Sequence, residues 1–597
     1  MQFGICDSRK ASLPVSAGLG YTLFDGTLIM KLPVEPSGTR GSLSVLEGRA
    51  EALLSLLILA ATVVVAHFMR FAQFGFYEDD YWSIANSMGL TGAELWARAQ
   101  NYFQAWPTGR PLNHLLPNLL SFVGVRLGGV EAMYALAAGG LLLNAWLVNR
   151  IARQLLPGPA ALAAGVTYVL FPPDTTRQLL IHVSHVQGAM TFSLLGLLLW
   201  RRAGISRLFS YPIAGLSLLS YETAYIPFLC APLLLAGAVE FRRRLTWAAH
   251  AAGCSIVLGL VMLARALAGG AHSSAHEVLG NPSQAAFRAL TSMYLGPLTD
   301  VKAFLHAFWE GGRHVDVWAI AGAMMIAALL VVWHLYYSDR RVGPGVADET
   351  AGGPQSTPIP LPIKILALWP ASYVLTLVNY PPTQIAGRMT STHTAAALPV
   401  ALLAGSLYAT FAGRSRAWRT ASHILLVAGL FLTLSYNQFV QREYARAWQV
   451  QIHFWQQVFE LCPDVDARTG ILVTGGVDPE GSEIIAANSW ADYHAYRWLF
   501  GAGSNGDGPR FAHLGVLQHS VPFRRGDSGV EWMPEYWGGP YMRIDSNQLI
   551  LLRSEQGRLS RVSSIDTSVG LLTTTRPIPT PGARMRFYML LRNKIGR

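Results

Sequence analysis

The chain has 597 residues and a mass of 65.0 kDa; 51% of the residues are apolar, only 14% are charged, and mean hydropathy is +0.31. Soluble domains carry about 25% charged residues, so intrinsic disorder, a coiled coil and collagen are excluded for the whole chain, and much of it must avoid water. The net charge of +11 falls between apolar runs, which points to a membrane and away from nucleic acid.

Residues 1–48 scatter Gly, Ser and Pro without a period and read as a disordered cytoplasmic tail or as an over-extended start, with Met30 a candidate first residue and no signal-peptide pattern. The first long apolar run is Leu53 to Phe71. Ten more follow near 130–149, 155–172, 183–200, 205–220, 224–240, 246–266, 316–337, 361–379, 391–412 and 420–436. A membrane helix needs about 20 mainly apolar residues, and the pattern predicts about 11 spans. Alternate loops carry Arg150 and Arg153; Arg201, Arg202 and Arg207; Arg242, Arg243 and Arg244; Arg340, Arg341 and Lys364; then Arg414, Arg416 and Arg419. The intervening short loops hold only Arg177 and Arg388. The positive-inside rule makes the first set cytoplasmic and puts residues 72–129 outside. A spanning helix at Pro111–Val125 would invert every later loop, so that stretch is expected to lie in the outer interface. The same holds for the amphipathic stretch Gln284–Trp309.

Composition changes after Tyr436: residues 437–597 hold 32 charged residues in 161, against 49 in the preceding 436. The expected fold is an all-α polytopic membrane bundle over residues 49–436, with a long first outer loop 72–129, followed by a small extracytoplasmic α+β domain at 437–597. Asn437–Leu461 reads as a helical entry, and Gly470–Thr474 and Gln548–Leu552 as strands. Cys6, Cys230, Cys254 and Cys462 share no metal or redox spacing, and no disulfide framework is legible.

Five features carry chemistry. Glu78-Asp79-Asp80-Tyr81-Trp82 stands directly after the first span. Adjacent carboxylates repel, so one pKa rises while another group ionises; such a pair supplies a general base or holds a divalent cation, and the aromatics suit a headgroup belt or a sugar platform. Arg110, in Trp106-Pro107-Thr108-Gly109-Arg110-Pro111, has the forked donors of a phosphate clamp. Glu222 is a lone acid at a tight outer turn, where ionisable groups are expensive. Arg388 follows Asn379-Tyr380-Pro381-Pro382 and is an outer arginine beside an apolar helix, where a lipid phosphate would sit. His182 and His185 lie three apart near Asp174 and Arg177 and read as substrate hydrogen-bonders or, with a third ligand, a metal site. In the tail, Trp490, Tyr493, Tyr496 and Trp498 form one aromatic cluster, and Trp532, Tyr536, Trp537 and Tyr541 another. Each reads as core or as a sugar-stacking face.

The order of one membrane helix, Asp79-Asp80-Tyr81-Trp82 in a long outer loop, Gly109-Arg110-Pro111, many further helices and an outer C-terminal domain resembles the GT-C superfamily of polytopic glycosyltransferases. It looks like bacterial members similar to O-antigen glucosyltransferases and lipid-A or protein sugar transferases, over about residues 50–460. The resemblance implies a multi-pass protein of the bacterial cytoplasmic (inner) membrane with an extracytoplasmic active site. It implies transfer of a sugar, with inversion, from a polyprenyl-phosphate donor to a glycan, lipid or protein acceptor. Asp79 or Asp80 would deprotonate the acceptor, Asp79 being favoured; Arg388 would hold the carrier phosphate with help from Arg110, and Glu222 would line the cavity. Two other readings stay open: a lipid-linked glycan ligase or polymerase, and a non-enzymatic transporter or scaffold.

Overall fold

The computed structural model describes residues 38–202, 204–236, 244–268, 281–338, 360–376, 381–466, 468–475, 494–496, 498–499, 510–513, 523–525, 529–532, 542–567 and 570–577. Residues 1–37, Arg242, Arg243, Arg340, Arg341, Asn379, Tyr380, Trp490, Tyr493, Tyr536, Trp537 and Tyr541 lie outside these. The chain divides into two units, Met1–Leu53 and Leu54–Arg597; the site lies wholly in the second.

The protein is mostly helical. Six helical stretches are long and apolar enough to cross a membrane: Ala50–Gln73, Val130–Ala152, Leu180–Arg201, Arg244–Leu267, Arg388–Ala412 and Arg416–Leu461. A seventh arises if Pro282–Arg313 and Val317–Trp333, bent by 111° at their junction, make one broken span. The other runs expected to span are shorter or interrupted helices, such as Gly158–Val169, Ile205–Leu218 and Leu361–Ala371. Proline explains part of this. Pro227 and Pro232 divide the run near 224–240 into two single turns, Ile226–Leu229 and Ala231–Leu235, because proline removes a helix donor and clashes with the preceding turn. The Arg244–Leu267 helix leaves Leu245, Ile256, Leu260, Leu263 and Leu267 exposed. So continuous an apolar surface requires a non-aqueous neighbour.

Pro111–Leu127 is a helix of 17 residues with proline at its first position. It buries Leu112, His114, Pro117, Asn118, Ser121 and Gly124 on one face and exposes Leu119, Val123 and Leu127.

The 46-residue helix Arg416–Leu461 runs without a break through Tyr436. The change in composition there marks a change of surroundings: Ile424, Leu425 and Val427 are exposed, whereas Tyr436, Gln438, Gln441, Tyr444 and Trp448 are buried. Gly311 lies against this helix, and a Cβ built there would meet the Leu432 carbonyl oxygen well inside contact distance. Gly311→Ala is therefore expected to destabilise the bundle by about 1–3 kcal/mol, read as a lower thermal midpoint of the detergent-solubilised chain.

Beyond Leu461 the chain forms short strands. Gly470–Thr474 pairs in parallel with Arg510–His513 on one side and Leu549–Glu555 on the other; Arg558–Val562 closes that sheet antiparallel. Alternation sorts its faces. Ile471, Val473, Ile550 and Leu552 join the large core that includes the long helix, while Leu472, Leu549 and Leu551 pack with Val530, Ile544, Ile565 and Leu572. Arg561 forks onto Asp464 at 2.7 and 3.1 Å, and Arg576 reaches the same carboxylate at 2.7 Å, pinning the sheet to the helix end. Cys230, Cys254 and Cys462 are free thiols.

Candidate active site

The first span ends in a π-helical turn, Val64–Phe68, and a 3-10 turn, Phe71–Gln73. The chain then bends sharply at Glu78, whose φ of +44° lies in the left-handed region, a conformation that costs a non-glycine residue about 1–3 kcal/mol and clusters at functional sites. The bend aims consecutive carboxylates in different directions. Asp80 is fully buried; its Oδ2 accepts the Tyr77 amide at 3.2 Å and its Oδ1 the Ile181 amide at 2.8 Å. Asp79 faces Arg388, a residue 309 positions away, which forks onto both carboxylate oxygens, with Nη1 at 3.2 Å from Oδ1. Glu78 Oε2 stands 3.9 Å from Arg388 Nε.

Burial raises the Asp80 pKa from its ordinary value to about 7, against the opposing pull of the Ile181 and Tyr77 amides and with a further push from Asp79. Between about pH 4 and 7 the folded state thus holds a proton that the unfolded chain has released. Stability must fall as pH rises through that window. The expected result is a thermal midpoint that declines from pH 4 to 7 more steeply in the native chain than in Asp80→Ala, measured in detergent.

Arg388 opens a nine-residue 3-10 helix, Arg388–Ala396, a length rare for this geometry and needing outside support. Gly387 precedes it with φ +87°. Its amide donates to the Thr175 hydroxyl at 3.0 Å, and the Thr390 hydroxyl donates to its carbonyl at 2.7 Å. The Thr394 hydroxyl donates to Asp174 at 3.2 Å, a carboxylate that also takes the Thr176 amide and hydroxyl and Arg177 Nε. Asp174 and Arg177 are both buried and form a support beneath Arg388.

A second ion cluster lies at the Gly109-Arg110 turn. Trp106, Thr108 and Gly109 all have positive φ, so three of the four left-handed non-glycine residues among the described residues flank the two motif turns. Arg110 Nε donates to Glu222 at 2.9 Å and Nη2 lies 2.7 Å from its other oxygen. Arg265 donates to the same carboxylate at 2.8 Å, to the Gly109 carbonyl at 2.9 Å and to the Leu218 carbonyl at 2.9 Å. Burial pushes the Glu222 pKa up, but the two guanidiniums outweigh it and the net shift is downward. Arg265 was not legible in sequence: an arginine near the end of an apolar helix reads as an interfacial anchor.

The histidines bridge the two clusters. His182 and His185 have ring centroids 5.4 Å apart, His185 sits 6.1 Å from the Tyr221 ring, and Arg110 lies over Tyr221 at 5.7 Å. The charges of Arg110 and Arg388 both act on His185. His185 Nδ1 donates to the Ile181 carbonyl, while His182 Nδ1 has no hydrogen-bond partner among the described residues. Trp82 is 41% exposed and meets His114 edge-on at 5.1 Å, joining the acid turn to the arginine turn. Tyr81 is placed differently from a sugar platform. It is buried against Phe76 and Trp498 and its hydroxyl bonds Gln451. Tyr496 likewise stacks on Phe511 in the core.

These residues do not fit a divalent cation. Both Asp80 oxygens are engaged by backbone amides and Asp79 by Arg388, and no group of three His, Cys, Asp or Glu among the described residues could hold a metal.

No protein-family description and no curated protein sequence matches the chain. Among solved structures it is similar to the archaeal oligosaccharyltransferase AglB from Archaeoglobus fulgidus, in complex with an inhibitory peptide and a dolichol-phosphate, at 14% identity and a TM-score of 0.38. The match covers 75% of this chain and 63% of that one.

Proposed function

We propose that the protein is an inverting GT-C-type glycosyltransferase that moves a sugar from a polyprenyl-phosphate donor to an acceptor at the extracytoplasmic face of a bacterial inner membrane, with eleven crossings in the full bundle. The observation that carries this reading is the meeting of Asp79 with Arg388. A carboxylate just after the first span and a guanidinium 309 residues further along the chain come into direct contact, which supports a paired base and phosphate-holding cation.

Asp79 accepts the proton of the acceptor hydroxyl or amine. The acceptor atom attacks the anomeric carbon from the face opposite the carrier, the bond to the phosphate oxygen breaks, and the configuration inverts. Charge gathers on the departing phosphate, where a fixed cation is worth most. Arg388 is that cation. Without substrate Arg388 is occupied by Asp79. An arriving phosphate draws Arg388 away and leaves the carboxylate free to act as base. Donor binding therefore precedes activation of the acceptor. Asp80 serves as a strut between the acid turn and Ile181.

Purified chain incubated with radiolabelled polyprenyl-phosphate sugars and membrane-derived acceptors tests this. Label passing to an acceptor with release of carrier phosphate supports a transferase. Label passing into a lengthening lipid-linked chain identifies a ligase or polymerase, and lipid movement without transfer identifies a transporter.

A further inference from the structure

The 3-10 helix that Arg388 opens is fastened further along by a fully buried polar cage that the sequence did not reveal. His393 lies five residues further along the same 3-10 helix and has no exposed surface, as do Asp300 and Tyr373. Asp300 comes from the Pro282–Arg313 helix, and Tyr373 directly follows Leu361–Ala371. The Trp369 indole and the Tyr373 hydroxyl each donate to Asp300 Oδ2 at 2.7 Å. His393 Nδ1 lies 2.8 Å from Asp300 Oδ1 and 2.6 Å from the Tyr373 hydroxyl.

The other ring nitrogen does something different. His393 Nε2 stands 3.1 Å from the Gln384 carbonyl. A carbonyl only accepts, so Nε2 donates, and this bond closes the chain from 384 to 393 into a loop with Arg388 inside it. The loop is thus fastened at two points: Gly387 to Thr175, as described, and Gln384 to His393. A long, thin 3-10 turn has few bonds of its own with which to fix the direction of its first residue. The cage is rigid because each donor into Asp300 comes from a ring packed in the bundle.

We propose that His393 is a positioning residue for Arg388, its Nδ1 set against the Asp300–Tyr373 pair that Trp369 also holds and its Nε2 holding the Gln384–Arg388 loop so that the guanidinium faces Asp79 and, on donor binding, the carrier phosphate. This rests on the functional reading above for the identity of the anion. The placement of the loop is independent of it.

The test uses the full chain in detergent with undecaprenyl phosphate as probe. His393→Phe and His393→Asn lose the bond to Gln384, and each should weaken probe binding on the order of tenfold. His393→Gln, whose amide reaches as far as Nε2, should stay within about threefold of the native chain. In an Arg388→Ala background the same substitutions should add no further loss. Equal losses for Gln and Asn, or losses that multiply with Arg388→Ala, overturn the proposal and leave His393 a packing residue. Should the Phe variant fail to fold, the Asn and Gln pair decides. A native chain that binds no probe defeats the functional reading instead. Positioning is then decided by linking Asp79→Cys to Arg388→Cys with a short bis-maleimide. The yield should fall with His393→Asn and recover with His393→Gln; an unchanged yield overturns the proposal.

Discussion

Asp79→Asn is expected to lower turnover by about 10²–10⁴-fold while lowering, and not raising, the KM for the lipid donor. Two consequences of one contact produce this split. The amide cannot take a proton from the acceptor, so the chemical step loses its base. The amide also cannot hold Arg388 as the carboxylate does, through both guanidinium nitrogens facing it, so the cation is released to the incoming phosphate at no competing cost. A residue that merely shapes the turn would raise KM and lower turnover together. Initial rates over a range of donor concentrations separate the cases, and a native-like turnover would remove Asp79 from the mechanism. Asp80→Asn should act through the fold: both oxygens accept backbone amides, and an amide nitrogen placed against either would leave that donor without an acceptor.

The second large effect falls on Arg388. Its replacement by Ala should weaken donor binding on the order of tenfold, less than truncating one partner of a fully buried charge pair costs because the guanidinium is partly exposed, with a smaller change in acceptor KM. Arg388→Lys should recover little, because an ammonium cannot fork across two oxygens. The side chain is 31% exposed and the Asp79 and Glu78 carboxylates facing it are nearly buried, so the Ala variant should also unfold at a lower temperature as two acids lose their counter-ion. Donor and acceptor KM measured separately, with thermal midpoints alongside, test both parts. An unchanged donor KM at unchanged turnover would exclude Arg388 from the phosphate site.

The residues that meet in this cluster stood out in the sequence because charged groups beside apolar runs are costly. Three acids directly after an apolar run, an arginine at the start of an apolar helix, and a lone glutamate in a minimal turn each carry such a cost. What sequence could not supply was direction. Asp79 and Asp80 are neighbours with the same chemistry, and only the left-handed bend at Glu78 decides which faces inward. Nor could it supply partners from distant apolar helices. Arg265, Asp300 and His393 belong to no local motif, and their meanings arise from pairings across 43, 73 and 20 residues. The apolar runs were readable as helices, whereas their lengths depended on prolines and 3-10 turns that hydropathy alone does not weigh.

The unbroken helix Arg416–Leu461 is about 69 Å long at 1.5 Å per residue, roughly twice the hydrocarbon thickness. Midway along it the Tyr444 hydroxyl donates to the Thr175 carbonyl, and its own carbonyl accepts the Tyr77 hydroxyl. One stiff lever thus touches the floor beneath Arg388 and the approach to the acid bend, while its far end carries the sheet. A molecule that grips the sheet and tilts this helix would therefore bear on the Tyr77 and Thr175 contacts together.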